Sequence, residues 1–528
     1  MKIFARINLF PHLPIFAILI LSAIFRFYNF QDLQFWSADE ETAAAVVYRM
    51  IAQKTISLIS FNANLGVSVG SFFHILSVPV FLISKFNPIL ILVITSGLGV
   101  VTTILIYWAG KLIAGYQLGL ISAFLYSGSF LISIFDRRWW TLTPNPLLAI
   151  IAVISLIQIV NYKRSIFLIP LLVSIGFAFH SDPSLAVIAL ASLFTFVYFK
   201  PKLSKKALVL GLLTLLVFAA PLIIFELRHP GTIIDPLLKS VGRGGTMNLI
   251  NINFSPLLVP AQTVGMVLAP TSTKHLESQF DFSQILQKPF LSPLPEIIGG
   301  ILIIYPLYLI LKRKIYKNAE RQALLILNLF FIAFIAGTAI WRFLYHKGIE
   351  QHYFTVMFPI AVLLISYSLL KLTENKKLLL TAILLIFLSL NIKALLNSSF
   401  EYPLARKVAL VKELSAEIGP SNFSLYVLEG GWLGVGGWTE LFIFENKHPK
   451  KSYIYPYYDW IYKTHSLYTV TPETSDLEKV VIIGTSVNLE YDKSKEIARK
   501  REGNIEGVVL DNLSSWFDEK TIVDYLNK

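Results

Sequence analysis

Cysteine is absent from all 528 residues. That excludes disulfide staples, thiolate nucleophiles and cysteine-ligated metals. Charge is scarce as well: 15% of residues carry it, against 55% that are hydrophobic, and the mean hydropathy is +0.63. A soluble chain holds roughly a quarter charged residues, so the composition implies an integral membrane protein. Acidic residues are the scarcer sign, 33 against 46 basic, giving a net charge of +13. The basic residues fall in short clusters between apolar runs, as cytoplasmic loops do, which explains the charge without a nucleic-acid partner. No internal repeat or low-complexity tract is present. The glycine-rich SVGRGG at 240–245 follows no strand, so it is no nucleotide-binding fingerprint.

A membrane span needs about 17–25 mainly apolar residues. Candidates lie near 10–28, 88–108, 116–135, 145–161, 166–180, 184–199, 207–225, 296–311, 322–341, 353–371 and 378–394. The first follows Lys2 and Arg6 but ends in Arg26, Tyr28 and Trp36 rather than a small-residue cleavage site, so it reads as an uncleaved span. Segment 69–86 is apolar yet carries His74 and Pro79. If it lies on the surface, the clusters Lys2/Arg6, Lys111, Lys163/Arg164, 200–206, 312–321 and 371–377 share one side. If it crosses, the N-terminus lands opposite the others. The surface reading obeys the positive-inside tendency and gives about eleven spans.

The expected fold class is therefore a polytopic α-helical, multi-pass protein of the plasma (inner) membrane over 1–395. A first outer loop, 29–87, would hold two juxtamembrane helices, and a long outer loop would run over 226–295. Beyond it the composition turns polar. Short β-type runs at 423–428, 441–444 and 480–484, with helices near 404–418 and 515–527, predict an extracytoplasmic α/β domain over 396–528.

Chemistry is sparse enough to enumerate. Asp39-Glu40-Glu41 follows the first span, and carboxylates beside a bilayer belong at its aqueous edge. Ser37 with Glu40 makes a capping-box pattern. Ala43, Val46, Val47, Met50 and Ile51 form one stripe opposite Glu41, Tyr48 and Arg49, as in an interfacial amphipathic helix. In the first turn Asp39 is favoured as the ion. It can take a proton from a hydroxyl or, with Glu40, hold a divalent cation; the plainer alternative is capping alone. Asp136-Arg137-Arg138-Trp139-Trp140 puts two phosphate-binding guanidinium groups on the same side, unless the run is only an aromatic-basic interface anchor. His180-Ser181-Asp182-Pro183 is either a substrate-touching turn or a turn with a capping aspartate. Arg228, Arg342, His346, Lys347 and His352 add outer positive charge, suited to a phosphate group or to ordinary headgroup contact.

Four segments carry a resemblance: RFYNFQDLQFWSADEETAAAVVYRMIAQ, FHILSVPVFLISKFNPILILVITSGLGVVTTILIYWAGKLIAG, SIFDRRWWTLTPNPLLA and HYFTVMFPIAVLL. Over about residues 1–395 the chain resembles the GT-C superfamily of membrane glycosyltransferases, of the protein O-mannosyltransferase and lipid A aminoarabinose transferase type. The resemblance implies inverting transfer of a sugar from a polyprenyl-phosphate donor to a lipid, glycan or protein acceptor at the outer face. It implies Asp39 as general base with Glu40 beside it, and Arg137, Arg138, Arg228 and His352 for the phosphate. Glu40 or Asp136 would position the acceptor or a cation, with His180 and Tyr353 also substrate-binding. Magnesium or manganese at Asp39 and Glu40 is permitted rather than required. Membrane lipids are the remaining partners, and nucleic acid is not one. The rival readings are a lipid-linked sugar transporter or flippase and a non-catalytic assembly platform.

Overall fold

In hydrocarbon each backbone N–H and C=O must be satisfied within the protein, so apolar runs between basic turns fold as helices. The computed structural model describes residues 13–34, 36–62, 68–235, 238, 255–270, 294–345, 351–400, 402–427, 436–454, 478–484 and 493–511. The glycine-rich 240–245 and the helix expected near 515–527 lie outside the described residues. Helix α1 (Leu13–Phe27) is followed by α2 (Ala38–Gln53), an antiparallel ribbon of β1 (Ile59–Asn62) and β2 (Ser68–Gly70), and α3 (Phe72–Ser84). Next come α4 (Pro88–Ala114), α5 (Tyr116–Gly128), α6 (Phe130–Arg137), α7 (Asn145–Val160), α8 (Leu168–Ala178), α9 (Ala186–Phe199) and α10 (Lys205–Arg228). The bundle ends with α11 (Ser255–Leu268), α12 (Leu294–Leu311), α13 (Asn318–Tyr345), α14 (Phe358–Leu372) and α15 (Lys377–Asn397).

Among the described residues six segments, carried by α4, α10, α12, α13, α14 and α15, are long and apolar enough to cross a membrane. Helices α5 and α6, bent by 67° about Ser129, make a seventh together, while α1, α3, α7, α8 and α9 are shorter apolar helices. The expected polytopic helical architecture is present. Position in the bundle follows burial: the α14 segment is 89% buried at the centre, whereas α10, 6% buried, lies at the rim. Basic turns meet at one end, where Asn161 donates to the Ala319 carbonyl at 2.8 Å and Lys371 faces Glu320 at 3.6 Å. The other end gathers the close of α1, helices α2 and α3, and the turns after α6 and α8.

The segment 226–295, expected as a loop, contains α11. Ser129 donates to Val267 O and Asn391 Nδ2 to Leu268 O, each at 3.2 Å, so this helix is packed into the bundle. At 14 residues, with Pro260 inside, it is too short to have stood out as a span.

Asp136, expected at the aqueous face, is instead buried. Its Oδ2 accepts from Arg26 Nη2 at 2.5 Å and from Nε at 3.0 Å, and Oδ1 accepts from Tyr126 at 3.2 Å. Arg26 also donates to Ser22 Oγ at 2.8 Å. Two opposite charges at the ends of apolar helices offset each other's desolvation, which neither could bear alone. Gly99 on α4 leaves the room: a Cβ there would stand 2.3 Å from Arg26 Nε and 2.6 Å from Asp136 Oδ2.

After α15 the chain forms α16 (Leu404–Ile418), β3 (Phe423–Val427), α17 (Trp438–Phe444), β4 (Lys451–Ile454), β5 (Lys479–Gly484), β6 (Glu496–Glu502) and β7 (Ile505–Asp511). The sheet order is β4-β3-β5-β7-β6, with β4, β3 and β5 parallel and the remaining pairs antiparallel. Residues 441–444, expected as a strand, lie in α17. A four-residue apolar run has no period of its own, and contacts described below set its conformation.

Replacing Asp136 with Asn leaves Arg26 buried without its counter-charge. Thermal or denaturant unfolding in detergent should register a loss of about 3–5 kcal/mol. Replacing both residues with apolar ones of similar volume should cost distinctly less than the single change.

Candidate functional site

Helix α2 begins as its sequence predicts. The Glu40 carboxylate Oε2 accepts the Ser37 backbone N–H at 2.9 Å and the Ser37 hydroxyl, closing the expected Ser37–Glu40 pairing. Successive helix residues are rotated by about 100°, so three neighbouring carboxylates point in three directions. Asp39 remains partly open, its side chain 35% exposed. Glu40 is fully buried. Glu41, expected on a solvent face, is also fully buried, and it turns toward α17.

Arg138 joins the first two. Its Nε donates to Glu40 Oε1 at 2.7 Å and its Nη2 to Asp39 Oδ2 at 3.1 Å. The guanidinium lies 3.5 Å from the centroid of the Trp140 ring. A local turn fixes this geometry: Thr143 Oγ1 donates to the Arg138 carbonyl at 2.7 Å and accepts the Trp140 N–H at 2.9 Å. A planar, five-donor guanidinium can serve two carboxylates and a ring face at once.

The other expected residues take varied positions. Arg137 is buried, its Nη2 donating to Phe25 O at 2.6 Å and Tyr28 O at 3.0 Å, and its Nη1 to Leu33 O at 3.3 Å. It caps the carbonyl end of α1, where a cation is favoured by the helix dipole. Trp139 and Trp140, expected in a headgroup belt, are buried too; Trp139 stacks on Trp36 at 6.0 Å. His352 meets the Trp140 ring edge-on at 5.5 Å, and Tyr353 lies beside it at 4.2 Å. His180 is held away from the carboxylates, its Nε2 2.6 Å from Phe218 O and its ring against Phe72. Burial pushes its pKa down, partly countered by the Phe218 carbonyl. Arg228 stands exposed on the last turn of α10, and among the described residues it makes no hydrogen bond or ion pair with the cluster. The Arg342 side chain and residues 346–350 lie outside the described residues.

Asp182 enters the site's electrostatics. Its Oδ1 accepts the Ser184 N–H at 2.8 Å, as a turn-capping aspartate does. Burial raises its pKa, hydrogen bonding from Ser184 opposes that, and the Asp39 charge raises it further. The neighbouring turns are tied by Asn145, which donates to Ser184 Oγ at 3.1 Å and Thr355 Oγ1 at 3.3 Å.

The donor set does not suit a cation. Both Glu40 oxygens are occupied by hydrogen-bond donors, and Arg138 supplies the positive charge between the carboxylates. Among the described residues no group of three or more His, Asp or Glu gathers to hold a metal. The arrangement offers an ionisable, partly exposed carboxylate fixed by a buried guanidinium, under a wall of Trp140 and His352.

No protein-family model matches the chain, and no curated protein matches it. Among solved structures, ArnT from Cupriavidus metallidurans in the apo state is similar at 11% identity over 95% of this chain and 97% of that one, with a TM-score of 0.55. The same protein bound to undecaprenyl phosphate is similar at 11% identity over 97% of this chain and 99% of that one, with a TM-score of 0.54. The fold is thus that of ArnT.

A carboxyl with a raised folded-state pKa stabilises the protein below its unfolded value of about 4, and that contribution is lost as pH rises through the raised value. Unfolding midpoints measured from acid to neutral pH should therefore fall across this window in the wild type. They should stay flatter in Asp182→Asn.

Proposed function

We propose that this chain, having the GT-C fold, transfers a sugar from a polyprenyl-phosphate donor to an acceptor hydroxyl at the outer face of the plasma membrane. In this reading the chain crosses eleven times, the shorter α1, α7, α8 and α9 crossing and α3 lying on the surface, so that the carboxylates and the C-terminal α/β unit face outward; the apolar helices support it. The observation that carries the reading is the Arg138 bridge, which holds Asp39 against Glu40 and leaves its side chain partly open. It is supported by the similarity to a structure bound to undecaprenyl phosphate.

In the step proposed, the acceptor oxygen attacks the anomeric carbon as its proton passes to an Asp39 oxygen. The bond from that carbon to the phosphate oxygen breaks on the opposite face, inverting the centre and releasing polyprenyl phosphate. A phosphate is a weak base and needs no general acid to leave. Arg138 holds Asp39 in line, and Glu40 holds Arg138. One guanidinium shared by two carboxylates leaves the cluster net negative, so the departing phosphate needs another cation. Of the four groups proposed for it, Arg137, Arg138, Arg228 and His352, we assign Arg228, the most exposed. Tyr353, His180 and Asp136 contribute through packing and electrostatics rather than direct contact.

A transport reading draws on the broken α5–α6 segment and the buried Arg26–Asp136 pair, both features of transporters. It predicts movement of lipid-linked sugar without its consumption.

Purified protein given radiolabelled polyprenyl-phosphate sugars and acceptor extracts should transfer label. Asp39→Asn should lower the rate by about two to four orders of magnitude while folding is kept, and wild-type turnover in that variant removes Asp39 from the mechanism. Arg228→Ala should raise the donor KM more than it lowers kcat. The cysteine-free background makes topology directly testable. Single cysteines at 163 and 316 should be shielded from an impermeant reagent in intact cells, and cysteines at the exposed positions 230 and 413 should react.

A further inference from the structure

Glu41 and Lys407 belong to no step of the transfer, yet both are fully buried charges. The Glu41 carboxylate accepts backbone N–H groups of the C-terminal unit: Gly437 at 2.6 Å on Oε2, and Thr439 at 2.8 Å and Glu440 at 3.4 Å on Oε1. Lys407 of α16 donates to Trp36 O at 2.9 Å and to Gly436 O at 2.8 Å, and stands 5.1 Å from the centroid of the Trp438 ring. It thus ties the residue before the α2 cap to the residue before the α17 cap. Leu404 N–H adds a bond to Gln34 O at 2.8 Å.

The approach is backbone to backbone. A Cβ on Gly436 would lie 2.1 Å from Ala38 N, and one on Gly437 would lie 2.3 Å from Trp36 O. Gly437 also has φ +92°, the left-handed region. Nothing larger than glycine fits at either place without moving the first turn of α2. Asp39 sits in that turn, two residues from Glu41 and therefore about 200° around the helix. The turn is gripped on one side by Arg138 from the bundle and on the other by α16 and α17.

We propose that Glu41 and Lys407 are positioning residues through which the C-terminal unit sets the orientation of Asp39, and hence the rate of the chemical step. The inference rests on Asp39 being the base. Charged donors and acceptors that fix a reacting group without touching substrate typically change the rate constant more than affinity. Regulation follows from the same contact: a ligand that moves α17 moves the base.

The test combines transfer kinetics with a distance measurement that needs no activity. Spin labels on Arg49→Cys of α2 and Glu413→Cys of α16, both exposed positions, report the spacing of the two elements in the otherwise cysteine-free full-length protein. Wild type should give one narrow distance distribution. Glu41→Gln and Lys407→Met should each broaden it and lower kcat roughly 10- to 100-fold, with donor KM within about twofold, and Glu41→Asp should recover part of both. Unfolding midpoints identify a variant that fails to fold, in which case the other variant decides.

Unchanged kcat in both variants overturns the inference, whether or not the distribution broadens. Lost kcat with an unchanged distribution overturns it too, because the residues would then act by another route. Should wild-type protein transfer no sugar, the glycosyltransferase reading fails, and a distribution insensitive to both substitutions overturns the structural coupling as well.

Discussion

An ion withdrawn from water must find its opposite or a set of backbone dipoles nearby, and the whole site obeys that constraint. Two short charged runs, Asp39 to Glu41 and Asp136 to Arg138, lie about a hundred residues apart and answer each other and their surroundings. Arg138 bridges Asp39 and Glu40 of α2, while Glu41 is met by backbone N–H groups of the C-terminal unit. Asp136 is neutralised by Arg26, and Arg137 is solvated by the carbonyls at the end of α1. Three consecutive side chains of one run therefore lock the end of the first helix, the start of the second and the broken α5–α6 segment together. The open position of Asp39 is what remains once every other charge has been satisfied.

The break at Ser129 makes that division possible. A straight continuation of α5 would carry residues 136–138 further along one axis. The bend turns α6 so that its last residues run beneath α1 and α2. Asn391 holds the break open by accepting the Phe130 N–H at 2.8 Å, a donor left unpaired when the helical ladder is interrupted. Gly99 contributes by omission, since any side chain there would occupy the space of the Arg26 guanidinium.

Local signals carried much of this into the sequence. Apolar helical runs, the Ser37–Glu40 cap and the helix near 404–418 depend on neighbours within a few residues, and helices stand at these places, though four of the expected spans are short. Arg26 was legible as a charge closing an apolar run, but Asp136 was read as an outer-face residue, and only the fold pairs the two. Glu41 was not legible: helical periodicity put it opposite the apolar stripe, and its burial comes from residues almost four hundred positions later. The helix at 441–444 was missed for the same reason, because its start is set by a carboxylate remote in the chain. Short apolar stretches such as α11 fell below the length at which hydrophobicity alone separates a packed helix from a loop.

Lys407 reaches Trp36 across a separation of 371 residues, which gives the site a calendar. At ribosomal speeds of roughly 5–20 residues per second, the segment around Trp36 waits on the order of a minute after synthesis for its lysine to emerge. Throughout that interval the nascent helix carries an uncompensated Glu41, and every later span has already been threaded. Completion of the contacts around the first turn of α2 is then among the final events of biogenesis, and a prematurely terminated chain would lack them.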